Sequence, residues 1–481
     1  MWLRSCKSPQ EANGMVKNAM LLLLASILVA LLLRELRQVS LRSADLPAST
    51  LEVNPVLQQL QSAAKKPGLE AAAIGFCLLD EHGQVMLEHA ARTAFIPASS
   101  LKTLTTATAL ERWGPEHRIE TQLISTTPVV AGQIAGDVIL HGGGDPMLSL
   151  TDLQSWAQTL KQQGIRHIGG RIISDGGHFR GSIYADFWGW GDIGNGYGSP
   201  VCGLNLEHNR YTVSLLPGRE LGARTQLLGT VPEVPGVRWI NETITHTPDS
   251  GDGVVIHTGE QSGVIFLRGT VPMGTAPFQV LGAVPNPPFF AAHHFRQILI
   301  ANGITVAGQA DVAERDLACP ESGVIFTHRS PPLKQIVTSI HATSDNHETE
   351  CLYRLLGAEK DEPSEQTIRQ HWQARGLSFQ GLRLEDGCGL ARADFITPHD
   401  LARLQHLALN GPQGQVYLKS LLSREGLRWK GGAMSGVRSI TGQITTRGGR
   451  KLCFALIINH FTDSHAAQAL RDEILQRMAD V

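Results

Sequence analysis

The chain has 481 residues, of which 42% are hydrophobic and 18% are charged, as is typical of a globular protein. One ordinary core does not accommodate this length, so we expect two or three domains. The formal net charge of -2 provides no polyanion-binding field, which argues against a nucleic-acid partner.

An apolar run at residues 19–33 follows several basic residues and is closed by Arg34 and Arg37. This pattern is typical of an export segment, and we expect the protein in the periplasm. The run is shorter than most spanning helices, which favours a cleaved signal, but residues 31–42 offer no clear small-x-small cleavage site. Both alternatives stay open: a removed signal, or an uncleaved anchor that attaches residues 19–33 to the inner membrane.

The next elements predict the start of a sheet. Residues 55–66 form an amphipathic stretch that Pro67 and Gly68 end, which indicates one helix. Residues 71–79 and 84–89 flank a turn and are predicted to form a hairpin. A helix then follows, with Ser99 in its first turn.

The composition of the sequence changes after this helix. Residues 115–321 contain short β-like runs with many glycines and prolines, and we interpret them as an inserted β-rich region. Apolar spacing then predicts helices over residues 333–340 and 349–358. The C-terminal part is predicted to form a hairpin (438–446 and 450–459) and a closing helix (463–479). We expect the two hairpins to pair into one sheet with helices on its faces.

The sequence Ser99-Ser100-Leu101-Lys102 places a hydroxyl and an amine on one helical face, three residues apart. A serine nucleophile needs a nearby base, and the helix N-terminus favours developing negative charge. Ser62 and Lys65 have the same spacing, but they lie at the end of their helix, where the dipole has the opposite sign. Position within the helix therefore favours the first pair.

Two further motifs follow in order: Ser344-Asp345-Asn346 between two helices, and Lys430-Gly431-Gly432 before the last hairpin. This set resembles the signature of penicillin-binding proteins and serine β-lactamases. Additional segments make the chain similar to the D-alanyl-D-alanine carboxypeptidase/endopeptidase family of class C low-molecular-mass penicillin-binding proteins. These segments are Pro97-Ala98-Ser99, Gly143-Gly144-Asp145-Pro146, Asp386-Gly387-Cys388-Gly389-Leu390 with Arg392, and Thr397-Pro398.

The resemblance implies an α/β fold: a serine β-lactamase/transpeptidase-like core, with an antiparallel sheet and helices on its faces, interrupted by a large β-rich insert. The predicted division is an N-terminal signal or anchor with a connector (1–50), core (51–114), insert (115–321) and core (322–481).

The resemblance also implies roles at the site. Ser99 would form the acyl-enzyme, Lys102 would take its proton, and Ser344 would relay a proton to the leaving amine. The implied substrate-binding residues are Asn346, Lys430 and Gly432, and the implied oxyanion hole is formed by the backbone N–H groups of Ser99 and Ala433.

Two positions depart from the family pattern. Gly431 replaces a threonine whose hydroxyl would bind the substrate carboxylate, a hydrogen bond worth roughly 1.5–3 kcal/mol. Cys388 replaces a serine, and a thiol is a poorer hydrogen-bond donor.

The expected substrates are peptidoglycan stem peptides, with removal of a terminal D-alanine or cleavage of cross-links, and the expected inhibitors are β-lactam antibiotics. Gly431 motivates an alternative, a catalytically weak sensor that binds penicillin or peptidoglycan; a β-lactamase is a further rival. We expect no metal and no organic cofactor, because His293, His294 and the other histidines lack metal-ligand spacing. The seven cysteines leave disulfides and free thiols both open, and the oligomeric state stays undetermined.

Overall fold

The computed structural model of the protein describes residues 54–313 and 323–481. The α-helices in these ranges are α1 (Pro55–Ser62), α2 (Lys102–Trp113), α3 (Leu150–Gln162), α4 (Pro287–Ala301), α5 (Leu333–Thr343), α6 (Asn346–Ala358), α7 (Ser364–Gln373), α8 (Pro398–Leu409), α9 (Gly414–Ser420) and α10 (Ser464–Met478). Short 3₁₀ turns lie at Ala63–Lys65, Ala98–Leu101 and Glu207–Asn209.

The strands fall into three groups along the chain. The first group is β1 (Ala73–Leu79) and β2 (Val85–His89). The second group is β3 (Glu120–Ser125), β4 (Val129–Val130), β5 (Gln133–Ile134), β6 (Val138–Gly142), β7 (His167–Ile168), β8 (Ile172–Asp175), β9 (Arg210–Leu216), β10 (Gln226–Val231), β11 (Arg238–Asn241), β12 (Ile244–His246), β13 (Gly253–His257), β14 (Val264–Pro272), β15 (Phe278–Ala283), β16 (Thr305–Val306), β17 (Ala310–Val312) and β18 (Val324–Arg329). The third group is β19 (Leu422–Arg424), β20 (Leu427–Met434), β21 (Val437–Thr445) and β22 (Lys451–Asn459).

The first and last groups form one six-stranded antiparallel sheet in the order β19-β20-β21-β22-β1-β2. The predicted early and late hairpins are both present, and β1 joins β22 in register from Ala73 opposite Asn459 to Leu79 opposite Cys453. The predicted α/β class, with an antiparallel sheet and helices on its faces, is therefore confirmed.

The strand period of two gives this sheet two buried faces. Cys77 and Leu79 of β1 point into a core shared with α2, α5, α6, α7, α8 and α9. Phe76 and Leu78 point into a second core shared with α1 and α10. Because both faces are covered, β1 is apolar along nearly its whole length, and 6 of its 7 residues are buried. Strand β20 extends past its pairing with the short edge strand β19, and it lies next to the 3₁₀ turn that precedes α2.

The region between the two parts of this sheet is rich in strands, as the sequence predicts. It builds a five-stranded sheet (β17-β8-β6-β3-β18), a four-stranded sheet (β16-β7-β5-β4), a three-stranded sheet (β10-β9-β15), and a group in which β11, β12 and β13 all pair with β14. Strand β18 pairs with β3, so the five-stranded sheet includes residues beyond the predicted boundary at 322. The domain boundaries themselves stay predictions.

The predicted signal or anchor at residues 19–33 lies outside the described residues. None of the helices in the described part of the chain combines the length and apolar character that crossing a bilayer requires. Cys6 and Cys319 also lie outside the described residues, and the other five cysteines are buried free thiols: Cys77, Cys202, Cys351, Cys388 and Cys453.

Candidate active site

Ser99 and Lys102 lie where a 3₁₀ turn, Ala98–Leu101, continues into α2. The Lys102 Nζ is 3.0 Å from the Ser99 Oγ, as the three-residue spacing predicts. Ala98 has a φ of 47°, in the left-handed region that side-chain-bearing residues seldom adopt. Backbone strain of this kind is concentrated at functional sites, where the surrounding structure holds it in place.

The Lys102 ammonium is fully buried and donates to three acceptors. Besides the Ser99 Oγ, these are the Asn346 Oδ1 at 2.6 Å and the Cys388 carbonyl at 2.7 Å. Burial lowers the pKa of Lys102 below its ordinary value, although the nearby carboxylates oppose this shift. A lysine with a lowered pKa and a hydroxyl within hydrogen-bond reach is equipped to act as a general base.

Ser344, Asp345 and Asn346 form the joint between α5 and α6. Ser344 ends α5 in a left-handed conformation with a φ of 60°, and the Asp345 side chain caps α6 by accepting from the Glu348 N–H. Asn346 is the first residue of α6, and its Nδ2 donates to the Tyr197 carbonyl at 2.9 Å. The reversal at Ser344 therefore presents the serine hydroxyl and the asparagine amide from one short turn.

Lys430 lies on β20, and its Nζ donates to the Ser344 Oγ at 2.8 Å and to the Gly431 carbonyl at 2.9 Å. Burial and the positive charge of Lys102 lower the pKa of Lys430 to about 7. The two lysines thus approach the same space from α2 and from β20, and each contacts one residue of the α5–α6 joint.

Gly432 is the point where β20 comes closest to the nucleophile. A Cβ at this position would lie 2.7 Å from the Ser99 N and 2.5 Å from the Ser439 Oγ. At Gly431 a Cβ would meet only the Ser439 carbonyl, at 3.7 Å, so a side chain has room there. Ala433 follows Gly432 on the same strand and is exposed. The structure therefore brings the predicted strand to Ser99 and leaves space where the family threonine is missing.

A tight loop that starts at Asp386 supplies the third acceptor for Lys102. The Asp386 carboxylate accepts from four backbone N–H groups, those of residues 388–391, at 2.5–3.0 Å, and from the Trp188 indole at 2.8 Å. These bonds hold the loop in a conformation in which the Cys388 carbonyl points towards Lys102. The sequence departure at Cys388 therefore leaves this contact intact, because the contacting group is the backbone.

Three residues of the inserted region reach this site, and no local sequence pattern indicates their contacts. The Tyr197 carbonyl accepts from Asn346, the Trp188 indole donates to Asp386, and the Arg210 guanidinium donates to Asp345 at 2.6 and 3.2 Å. Each contact joins residues more than a hundred positions apart, and two use a backbone carbonyl or an indole.

The alternative pair with the same spacing, Ser62 and Lys65, lies in a different environment from Ser99 and Lys102. Ser62 ends α1 and donates its hydroxyl to the Gln59 carbonyl, and Lys65 is exposed. Neither the burial nor the acceptors that surround Lys102 are present at Lys65, since its ammonium faces solvent.

Among residues 54–313 and 323–481, two groups of side chains have donor atoms close enough to hold a cation: His208, Asp345 and Glu348, and Glu350, Asp386 and Cys388. Both carboxylate oxygens of Asp345 are engaged by Arg210, and those of Asp386 by backbone and indole N–H groups. A cation would have to displace these donors, so neither group favours a metal centre.

A family model described as the D-Ala-D-Ala carboxypeptidase 3 (S13) family matches residues 56–481. The D-alanyl-D-alanine carboxypeptidase of Actinomadura sp. (strain R39) is 26% identical over 467 residues, which cover 90% of this chain and 86% of that protein. The crystal structure of penicillin binding protein 4 (dacB) from Haemophilus influenzae superposes with a TM-score of 0.77 at 20% identity, covering 89% of this chain and all of that one. A second structure of that protein, complexed with a novel beta-lactam, gives a TM-score of 0.73 at 19% identity over 88% of this chain and all of that one.

Proposed function

The chain belongs to the D-Ala-D-Ala carboxypeptidase 3 (S13) family, as its motifs predicted, and we propose that it cleaves D-alanyl-D-alanine peptides of peptidoglycan through an acyl-enzyme on Ser99. The observation that carries the proposal is the buried Lys102 ammonium, which contacts the Ser99 Oγ, the Asn346 Oδ1 and the Cys388 carbonyl together. These contacts hold a potential base against a potential nucleophile.

In the acylation step, neutral Lys102 takes the proton of the Ser99 hydroxyl while the Oγ attacks the carbonyl carbon of the penultimate D-alanine. The developing oxyanion is held by the backbone N–H groups of Ser99 and Ala433. The close approach of Gly432 to the Ser99 N supports this arrangement, because it brings β20 alongside the nucleophile.

Ser344 then relays the proton that Lys102 took from Ser99 to the leaving amine as the amide C–N bond breaks, which returns Lys102 to its neutral form. Its Oγ is 2.8 Å from the Lys430 Nζ, and the Lys430 ammonium also serves as the positive charge for the substrate's terminal carboxylate. In the second step neutral Lys102 takes a proton from the attacking water and returns it to the Ser99 Oγ as the ester bond breaks, which releases the acid product and free Ser99. When the leaving group is D-alanine the reaction is a carboxypeptidase reaction, and when it is a cross-linking amine the reaction is an endopeptidase reaction.

Penicillin is expected to acylate the same hydroxyl, with its ring amide as the bond that opens. The beta-lactam complex of the Haemophilus influenzae relative supports this expectation. Since peptidoglycan is assembled outside the cytoplasmic membrane, we place the protein in the periplasm. The apolar run at residues 19–33 would export it and, if uncleaved, would anchor it to the inner membrane.

The test combines fluorescent penicillin with a stem pentapeptide. Wild-type protein should become labelled and should release D-alanine, and mass mapping should place the adduct on Ser99. Ser99→Ala should lose both activities, whereas the control Ser62→Ala should keep both, because Ser62 bonds only within its own helix end. An adduct on Ser62, or labelling of Ser99→Ala, would contradict the proposal.

Gly431 favours a second candidate, a penicillin-binding sensor with little turnover. No hydroxyl is supplied at this position of β20, so the substrate carboxylate has one donor fewer than the family pattern provides. Labelling of the wild type without D-alanine release would support the sensor over the peptidase.

A further inference from the structure

A turn of the inserted region lies against the α5–α6 joint and has an unusual backbone. Its three residues, Glu207, His208 and Asn209, have φ values of 52°, 55° and 53°. None of them is glycine, and consecutive left-handed residues with side chains are disfavoured. Such a turn persists only where its surroundings stabilise it, so its contacts indicate what it holds in place.

The turn is anchored on both sides. Within the insert, the Asn209 Nδ2 donates to the Asn205 Oδ1 at 2.8 Å and to the Pro200 carbonyl at 3.0 Å. Towards α6, the His208 Nε2 lies 3.0 Å from the Glu348 Oε1. The turn thus fixes the direction in which β9 begins, and its first residue is Arg210.

Arg210 uses this position to bind Asp345 through two nitrogens. Nη1 donates to Oδ2 at 2.6 Å and Nη2 to Oδ1 at 3.2 Å, and Nε donates to the Ser199 Oγ at 3.2 Å. The two side chains are only 18% and 11% exposed. Two parallel bonds from a planar guanidinium fix orientation as well as distance, which a single bond from an ammonium does not.

Asp345 lies between Ser344 and Asn346, so its position sets the position of both. We propose that Arg210 is a positioning residue of the active site. It holds the α5–α6 joint in place through Asp345, and its positive charge neutralises that carboxylate near Lys102. This inference rests on the proposed function, since it assigns the insert a part in the same acyl-transfer site.

The charge of Asp345 matters for the base role because it affects the pKa of Lys102. Burial lowers the pKa of Lys102, and the negative charge of Asp345 raises it. Arg210 keeps Asp345 ionised by holding its pKa below the ordinary range, and its own positive charge offsets the carboxylate. The other titratable groups around Lys102 come from the loop after α7, from β20 and from α5, and are Asp386, Cys388, Asp394, Lys430 and His341.

Removing only the guanidinium charge should therefore leave a buried carboxylate that favours protonated Lys102. We expect Arg210→Gln to move the acid limb of the pH profile for penicillin acylation upward by about one pH unit, a loss of about tenfold in rate at a fixed pH on that limb. The double variant Arg210→Gln/Asp345→Asn lacks both charges and retains an amide that can cap α6. Its acid limb should return to the wild-type position.

Arg210→Lys keeps the charge but not the paired bonds, so it should leave the acid limb in place and lower the rate by a few fold. Arg268→Gln is a matched control, because Arg268 forms an exposed pair with Glu242 within the insert. It should change neither rate nor pH profile. Thermal unfolding of every variant shows that folded protein is compared.

The outcomes separate the two proposals. If the wild type is labelled but Arg210→Gln keeps the wild-type acid limb, Arg210 has no part in the site and only this inference fails. Equal shifts in the single and the double variant would also refute it, because charge compensation predicts recovery in the double. A wild type that is not labelled at all would refute the proposed function instead.

Discussion

Replacement of Gly432 by alanine tests the contact between β20 and the nucleophile. The added Cβ would lie 2.7 Å from the Ser99 N, 2.9 Å from the Pro97 carbonyl and 2.5 Å from the Ser439 Oγ. Two of these atoms belong to the backbone of the turn that carries Ser99, so a rotation of a side chain does not relieve the contact. The strand or the turn has to move.

The size of the movement follows from the distances. An ordinary contact begins near 3.4 Å, so the Cβ and the Ser99 N have to separate by about 0.7 Å. Misplacement of a reacting group by about 1 Å can lower a rate by about a hundredfold. We therefore expect Gly432→Ala to acylate with penicillin about ten to a hundred times more slowly. Overpacking of this kind should also destabilise the fold by about 1–3 kcal/mol.

Gly431→Ala is the matched control, because its Cβ would meet only the Ser439 carbonyl at 3.7 Å. Stopped-flow measurement of fluorescent-penicillin labelling gives the acylation rate of each variant, and thermal unfolding gives its stability. The control should stay close to the wild type in both. Wild-type acylation by Gly432→Ala, or an equal loss in both variants, would refute the steric argument.

Three further predictions concern neighbouring groups. Gly431→Thr should lower the KM for a D-alanine-terminated pentapeptide about tenfold or more, because its hydroxyl restores a charge-assisted bond; an unchanged KM would show that this strand position does not face the carboxylate. Since the pKa of Lys430 is lowered to about 7, its ammonium is lost as pH rises through 7. The KM should then rise above that pH for a carboxylate-terminated substrate but not for its amide, and a flat KM between pH 6 and 9 would contradict this. Cys388→Ser should label within about threefold of the wild type, because Lys102 contacts the carbonyl of this residue; a loss beyond tenfold would assign the thiol a role.

Local sequence patterns predicted the elements that depend on local spacing. The approach of Lys102 to Ser99 follows from their separation along one helical turn, and apolar stretches separated by turn residues predicted the hairpins that build the central sheet. The helix α8 (Pro398–Leu409) was not predicted, although Thr397 caps it and Pro398 begins it, which are ordinary start signals. The same two residues also belong to the motifs that carry the family resemblance. The catalytic roles of the motif residues stay predictions.

Other parts of the site leave no local signature. The Cys388 carbonyl is a backbone group, so the residue type at position 388 does not indicate that this group contacts Lys102. Arg210 and Asp345 are 135 residues apart, and Arg210 begins strand β9 whereas Asp345 lies at the α5–α6 joint. Spacing arguments work within one element, whereas these contacts depend on how the insert folds back onto the core.

The backbone at the nucleophile shows why such long-range contacts are needed. Ala98 and Ser344 both hold left-handed conformations, each disfavoured by roughly 1–2 kcal/mol, so neither turn would persist in an isolated segment. Gly389 packs directly on Ala98, since a Cβ added to Gly389 would lie 2.1 Å from the Ala98 carbonyl oxygen. The Ser439 hydroxyl donates to the carbonyl of Pro97. The loop after Asp386 and the strand β21 thus hold the Ala98 turn from two sides. The geometry at Ser99 is consequently a property of the assembled core, and weakening either support should disturb acylation before it unfolds the protein.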